Sequence, residues 1–252
     1  MGIKNGFTKY DLYQILRTKG ELAYHLPPAE VFNDFEDVLI FIEDYKKVIL
    51  KPIDSSSGKG VCIVEKRENN FKITDCRRRK QTRMIMYSIE ELREFFKSTE
   101  NKLDKYIIQK LIKSIRIEQA AFDLRVVMKR GLKGDWKCGE LEYRVGENNF
   151  LLTNVGREAY PAALGEAMEK SYPLKFDFIK AINEVRKLCE RTCEAINGMI
   201  EYHNDIQFEV AIDEDNKPWF IDINLSECMK KFKYVDYNTY LSARGMTLLY
   251  NK

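Results

Sequence analysis

The chain has 252 residues, 44% hydrophobic and 32% charged, enough for a sizeable core in one domain or two coupled lobes. Its net charge of +3 is small for this length and argues against a general nucleic-acid-binding role. There is no apolar run long enough to span a bilayer, no signal peptide is expected, and 6 cysteines without C-x-x-C spacing beside 2 histidines make a poor zinc site. Free thiols in a reducing, cytoplasmic setting are the simplest account, with no membrane partner.

Residues 8–19 read as a helix with Tyr10, Leu12, Tyr13 and Leu16 as apolar positions, and Pro27-Pro28 breaks the chain after it. A second amphipathic helix is expected over 34–45, carrying Phe35, Val38, Leu39, Ile42 and Tyr45 at helical spacing. Strands follow at about 47–52, 61–66, 71–76 and 82–87. Arg77-Arg78-Arg79-Lys80, with Arg83 after it, reads as a solvated turn between strands, with an anion or acidic-partner contact as the alternative. Ser88-Ile89-Glu90-Glu91 has the form of a capping box that opens a helix to Lys97. These elements make an α+β lobe assigned to residues 1–105.

A second lobe, residues 106–252, is expected to open with the dense apolar strand Tyr106–Ile112. Strands at about 121–130 and 136–146 flank the turn Gly131–Asp135, and a loop region with Asn154, Gly156 and Pro161 follows. The longest helix is expected at 175–201, with Ile179, Ile182, Val185, Leu188, Cys189, Thr192, Ile196 and Met199 as its core stripe. The last feature is a hairpin, Ile206–Asp213 and Pro218–Asn224, turning over Glu214–Lys217.

Two places carry chemistry. In the first lobe an apolar strand ends at Lys51, a Ser/Gly loop with Ser55, Ser56, Ser57, Gly58, Lys59 and Gly60 follows, and a second apolar strand leaves. The glycines let backbone approach an anion, the serines and free amides supply donors, and Lys51 supplies a point charge. The loop is neither a Walker P-loop nor a dinucleotide fingerprint, because Lys59 is followed by Gly60 and no helix opens after it. In the last hairpin, Glu209 sits inside an apolar strand, while Asp222 and Asn224 alternate onto one side of its partner. A tight turn brings Glu209 and Asp222 together, and three oxygen-bearing side chains on one face suit Mg²⁺.

The order of these motifs resembles the ATP-grasp superfamily, and more narrowly its YheC/YheD-like, spore-coat-associated members, from about Thr8 to Asn224. The resemblance implies an α+β ATP-grasp fold, two lobes with the nucleotide between antiparallel sheets, and ATP and Mg²⁺ as cofactors. It assigns Lys9 and Lys51 to the nucleotide phosphates, and Ser56, Ser57, Gly58 and Gly60 to the loop that closes over them. Gln109, Lys110, Leu111 and Ile112 become the hinge whose backbone reads adenine. Asp123-Leu124-Arg125 matches an Asp-x-Arg motif shared with RimK-type ligases, and Arg125, Arg144 and Asn154 take catalytic positions. Glu209, Asp222 and Asn224 become the metal ligands.

The chain departs from the pattern at Ser55-Ser56 where Gly-Ser is usual, and at Glu209 and Asp222, which exchange the usual Asp and Glu. Gly156-Arg157 replaces a Gly-Gly pair, and no proline follows Asn224 closely. The implied activity is ligation of a small-molecule or peptide carboxylate to an amine or thiol through an acyl phosphate. A kinase acting on a hydroxyl and a non-catalytic nucleotide-binding, spore-associated protein are the alternatives. Few residues precede the first matched helix, where typical ATP-grasp ligases carry a substrate-binding domain, so the expectation is an acceptor site formed differently, one supplied by a partner protein, or a truncated form.

Overall fold

The computed structural model describes residues 9–53, 60–77, 81–98, 103, 105–117, 120–148, 160–161, 171–172, 177–200 and 203–225. The chain divides into two compact units, one made of Pro27–Lys113 and Gly146–Ala159, the other of Met1–Leu26, Ser114–Val145 and Tyr160–Lys252. Both mix helices with antiparallel sheet.

The first unit is built on a six-stranded sheet in the order β1-β6-β2-β3-β4-β5. Its strands are β1 (Ala29–Val31), β2 (Lys47–Pro52), β3 (Val61–Lys66), β4 (Phe71–Cys76), β5 (Thr82–Met86) and β6 (Tyr106–Lys110). Alternation divides their side chains between two faces. Val48, Leu50, Cys62, Val64, Phe71, Ile73 and Ile108 bury one face against Val38, Phe41 and Ile42 of α2 (Phe35–Tyr45) and Leu92 and Phe96 of α3 (Ile89–Lys97). The opposite face carries the smaller cluster of Ile49, Val61, Ile63 and Cys76.

Both helices start where their caps dictate. The Asp34 carboxylate accepts from the Glu36 amide and Asp37 closes the reciprocal capping box, while Ser88 Oγ accepts from the Glu91 amide at 3.1 Å. Lys46, at φ 59°, ends α2 in the left-handed conformation.

Two features of this unit differ from the sequence reading. The strand Tyr106–Lys110, expected to open the second lobe, lies inside the first sheet, hydrogen-bonded between β1 and β2. An interior strand covered on both faces reads as a continuous apolar run, which says nothing of which sheet takes it. Arg77 is not solvated: Nε and Nη2 grip Asp75 at 2.8 and 2.7 Å, and the guanidinium lies 5.2 Å from the Phe95 ring centre. Arg78, Arg79 and Lys80 lie outside the described residues.

The second unit holds a seven-stranded sheet with β10-β9-β8-β12-β13 as its spine, and β7 joining β8 to β11. These strands are β7 (Arg116–Ile117), β8 (Ala120–Arg130), β9 (Trp136–Asn148), β10 (Tyr160–Pro161), β11 (Ser171–Tyr172), β12 (Asp205–Ile212) and β13 (Pro218–Leu225). Helix α1 (Lys9–Arg17) buries Leu12, Tyr13 and Leu16, and α4 (Phe178–Ile196) packs on β8, β12 and β13. The buried stripe of α4 runs through Phe178, Ala181, Ile182, Val185, Leu188, Cys189, Thr192, Cys193 and Ile196. Ile179, expected in that stripe, is 53% exposed, because Phe178 beside it takes the inward position against Phe122. Among the described residues no helix is long and apolar enough to cross a membrane.

Candidate functional site

One face of the second sheet is apolar and meets α4. Its strands contribute Phe122, Leu124, Val126 and Met128 from β8, with Ile206, Phe208 and Val210 from β12. Strand alternation sends Asp123, Arg125, Gln207 and Glu209 to the other face. The antiparallel register then sets Arg125 directly across from Glu209.

On the far side of β12, Glu209 faces Asp222 and Gln207 faces Asn224. This register exists because the β12–β13 pairing slips between Glu209 and Val210: Glu209 pairs with Asp222, but Val210 pairs with Phe220. Ile221 is the extra residue of a β-bulge. The slip lets Phe220 join the apolar face, 5.2 Å from the Phe208 ring, while Asp222 turns to the polar one. In an unbroken strand Phe220 and Asp222 would share a face.

The hairpin turn is pinned at its other end by Asp213. Its Oδ1 accepts from the amides of Asp215 and Lys217 at 3.0 and 2.9 Å, and Oδ2 accepts from Trp219 Nε1 at 2.7 Å. Asn216 takes the positive φ of 64° that the turn needs.

Charges on the polar face are closely matched. Arg144 on β9 donates through Nε and Nη2 to the two oxygens of Asp123 at 2.6 and 2.8 Å, and through Nη1 to Glu209 Oε1 at 3.0 Å. Asp123, Arg144 and Glu209 are all buried. Burial by itself would lower the pKa of Arg144, but the adjacent charges of Asp123 and Glu209 outweigh it, leaving it raised above the ordinary value.

Arg125 makes weaker contacts. Its Nη2 reaches Glu209 Oε1 and its Nη1 reaches Glu142 Oε2, each at 3.3 Å. Its Nε is buried with no hydrogen-bond partner among the described residues. Lys9 of α1 donates to Asp222 Oδ2 at 2.9 Å, and Asn224 Nδ2 donates to the same oxygen at 3.2 Å.

The structure thus brings Lys9, Arg125, Arg144, Glu209, Asp222 and Asn224 onto one network of neighbouring charges. Asp123, Glu142 and Gln207 belong to it too, without an assigned role at the sequence level. Their signal was a polar residue at every second position of a strand, as in Asp123/Arg125, Glu142/Arg144 and Gln207/Glu209. Asn154 lies outside the described residues.

The chemistry of the donor set suits a hard divalent cation: two carboxylates on paired positions, the carboxamide of Asn224 two residues beyond Asp222, and an ammonium already drawn to Asp222. Among the described residues no three His, Cys, Asp or Glu side chains are grouped to hold a metal. Two carboxylates with remaining positions for water and phosphate are nonetheless the usual Mg²⁺ pattern.

In the first unit, Lys51 and Gln109 face the same way. Register pairs Ile49 with Gln109 and Lys51 with Ile107, so all four point from the face opposite α2 and α3. Lys110 points to the helix side, its ammonium 5.6 Å from the Tyr45 ring centre. The Lys110 amide is used by Pro28 O and the Leu111 amide by Lys47 O, so the strand pairing ends just before Ile112. Gly60 holds φ 82° against Pro52 and Tyr106 Oη, where a Cβ would come within 2.8 Å of each. Ser56, Ser57 and Gly58 lie outside the described residues.

The sequence profile of YheC/D-like ATP-grasp proteins matches residues 3–252. This chain belongs to the YheC/D-like ATP-grasp family. Among curated relatives, the YheC/D-like chain is 22% identical over 261 aligned positions to the endospore coat-associated protein YheD of Bacillus subtilis, covering 97% of this chain and 56% of that one. It is 20% identical to the endospore coat-associated protein YheC of the same organism, over 86% of this chain and 58% of that one. The chain therefore spans little more than half the length of the curated relatives it matches. In fold it resembles the N5-carboxyaminoimidazole synthetase of Staphylococcus aureus solved with ADP. The TM-score is 0.50 at 14% identity, over 86% of this chain and 43% of that one.

Proposed function

We propose that this chain is an ATP- and Mg²⁺-dependent ligase that activates a carboxylate as an acyl phosphate and passes the acyl group to an amine or thiol. The observation that carries the reading is the Glu209–Asp222 cross-strand pair, with Asn224 beside it and Lys9, Arg125 and Arg144 around it. Acids that could hold a cation and two cations, Lys9 and Arg125, that could hold phosphate oxygens stand on one face, while Arg144 is held by Asp123 and Glu209. Phosphoryl transfer needs little else from a protein, since its catalysis is mainly positioning and charge stabilisation. Membership of an ATP-grasp family and the fold it shares with an ADP-bound synthetase support the nucleotide.

Within this reading Glu209, Asp222 and Asn224 hold Mg²⁺, whose chemistry when bound is to neutralise phosphate charge. Lys9 and Lys51 bind phosphate oxygens, together with Ser56, Ser57, Gly58 and Gly60. Gln109, Lys110 and Ile112 take the base. Arg125, half-buried and with Nε unpartnered, stabilises charge on the transferring phosphoryl group, with Asn154 assisting. The substrate carboxylate oxygen attacks the γ-phosphorus and ADP leaves. The amine or thiol then attacks the acyl carbon, phosphate leaves, and the nucleophile's proton passes to solvent.

The test is a screen of carboxylates and peptides with ATP, Mg²⁺ and hydroxylamine. A hydroxamate forming with ADP and free phosphate, and lost in Asp222→Ala, is the expected result. Turnover of a carboxylate without any hydroxamate contradicts an acyl phosphate, and a stable phosphorylated product without free phosphate indicates a kinase.

The names of the two Bacillus relatives favour one second reading, a nucleotide-binding protein of the spore coat that does not turn over. ATP binding with no consumption across the screen, unaltered by Asp222→Ala in every other assay, selects it.

A further inference from the structure

Two arginines bond to the same oxygen of Glu209, yet they are built differently. Arg125 is 21% exposed in its side chain and holds Glu209 and Glu142 only at 3.3 Å. Arg144 is 5% exposed, and its planar fork is engaged on both edges, by Asp123 at 2.6 and 2.8 Å and by Glu209 at 3.0 Å. A guanidinium clamped by a bidentate carboxylate cannot swing toward a ligand without leaving that carboxylate buried and uncompensated, a costly state. Arg144 therefore acts on what it touches, and among the described residues that includes, beside Asp123, the Oε1 of Glu209.

The clamp also has little to offer as a stabilising device. Buried ion pairs are weak contributors to stability, because desolvation offsets most of the attraction. Their better use is geometric. The two bonds to Asp123 fix the plane of the guanidinium, and the third bond then fixes where one oxygen of Glu209 sits. Gln207 Nε2, at 3.4 Å from the same oxygen, adds a third donor there.

We propose that Asp123 is a positioning residue: through Arg144 it sets the orientation of the Glu209 carboxylate, and thereby the affinity of the Glu209–Asp222–Asn224 face for a divalent cation. This rests on the metal-binding reading of Glu209 given above. It assigns the aspartate of the Asp-x-Arg motif a task separate from that of its arginine: Arg125 meets the ligand, while Asp123 aligns the acid beside it.

The test uses the whole chain and follows Mn²⁺ binding in the presence of ADP by electron paramagnetic resonance, without turnover. Asp123→Asn keeps the size and one acceptor but removes the charge. It should weaken Mn²⁺ by about tenfold or more, as loss of a partner behind a metal ligand typically does. Metal-free ADP binding, measured by calorimetry, should stay unchanged. Glu209→Gln should weaken Mn²⁺ at least as much, and the double variant should be no weaker than Glu209→Gln alone, because the aspartate acts through the glutamate. Arg144→Lys keeps the charge but loses the fork, and should reproduce the Asp123→Asn loss, which keeps the test usable if Asp123→Asn does not fold.

A folded Asp123→Asn or Arg144→Lys with unaltered Mn²⁺ affinity overturns the proposal, as does a double variant whose losses multiply. If the unaltered chain binds no Mn²⁺ with ADP, or Glu209→Gln leaves that binding intact, the metal reading fails and the proposal fails with it. The Glu209 arm separates that outcome from failure of the positioning role alone.

Discussion

Asp222 stands directly opposite Glu209 on the last hairpin only because Ile221 is bulged out of β13. From the turn at Asp213 to Val210 the two strands run in one register, and beyond the bulge they run in another. Bulges re-aim side chains, and this one turns an acid out of the apolar face and sets it beside a second acid. The polar face then balances that charge with Lys9, Arg125 and Arg144.

Gly60 and Gly134 offer a matched comparison. They hold nearly equal positive φ, 82° and 81°, but a Cβ at Gly60 would strike Pro52 and Tyr106, while one at Gly134 would meet nothing. Gly134→Ala should cost about 1 kcal/mol from left-handed backbone strain alone. Gly60→Ala adds overpacking and should cost roughly 1–3 kcal/mol more. Urea unfolding of both variants checks this, and equal costs would mean that the close approach at Gly60 is absent.

Acid sensitivity should trace to the two histidines. Burial lowers the pKa of His25 below its ordinary 6.5 even though a ring nitrogen bonds Pro218 O, and burial likewise lowers that of His203. The unfolded chain then binds protons that the folded chain refuses. Stability is complete above 6.5 and falls as pH drops through the folded values. Unfolding midpoints compared between pH about 7.5 and 5.5 should decline, and His25→Gln with His203→Gln should flatten most of that slope. An unchanged slope in the double variant would assign the acid sensitivity to carboxylates.

Arg130 ties the end of β8 to the segment after α4. It donates to His203 O, Asn197 Oδ1 and Ile200 O at 3.0, 2.7 and 2.8 Å, and stacks 4.5 Å from the Trp136 ring centre. Arg130→Ala should therefore destabilise the chain by about 2–4 kcal/mol. Arg130→Lys should recover less than half of this, because an ammonium cannot reproduce the fork. Thermal or urea unfolding decides it; full recovery by lysine would mean that charge alone matters.

The buried cysteines should be inert. Burial pushes the thiol of Cys62 up to about 12 and that of Cys76 up to about 11, and raises those of Cys189 and Cys193 as well. Alkylation by iodoacetamide near pH about 8 requires thiolate, so these four should label only after unfolding. Mass spectrometry of native and urea-treated protein reads the difference. Rapid native labelling of Cys62 would show that the first sheet opens far more readily than its packing implies.

Local pattern was enough for most elements. Strands β2 to β5, the helices capped by Asp34 and Ser88, and the last hairpin all fall where alternation, helical spacing and capping residues put them, because those signals lie within a few residues of the element they define. The family was legible too, since its motifs keep their order along the chain. Side-chain types also announced Arg125, Glu209, Asp222 and Asn224, each set in an apolar strand, while Arg144 was reached through the family resemblance.

Tertiary structure decided what depends on partners remote in sequence. An apolar strand such as Tyr106–Lys110 carries no mark of the sheet it will enter, and hydrogen bonds from β1 and β2 settled that. Phe178 rather than Ile179 points inward, because Phe122 waits there. The bulge at Ile221 is invisible in the sequence, being a compromise between the turn held by Asp213 and the burial of Phe220. Arg125 and Arg144 also separate only in space, where a buried aspartate grips Arg144 with two bonds while Arg125 holds its carboxylates only at 3.3 Å.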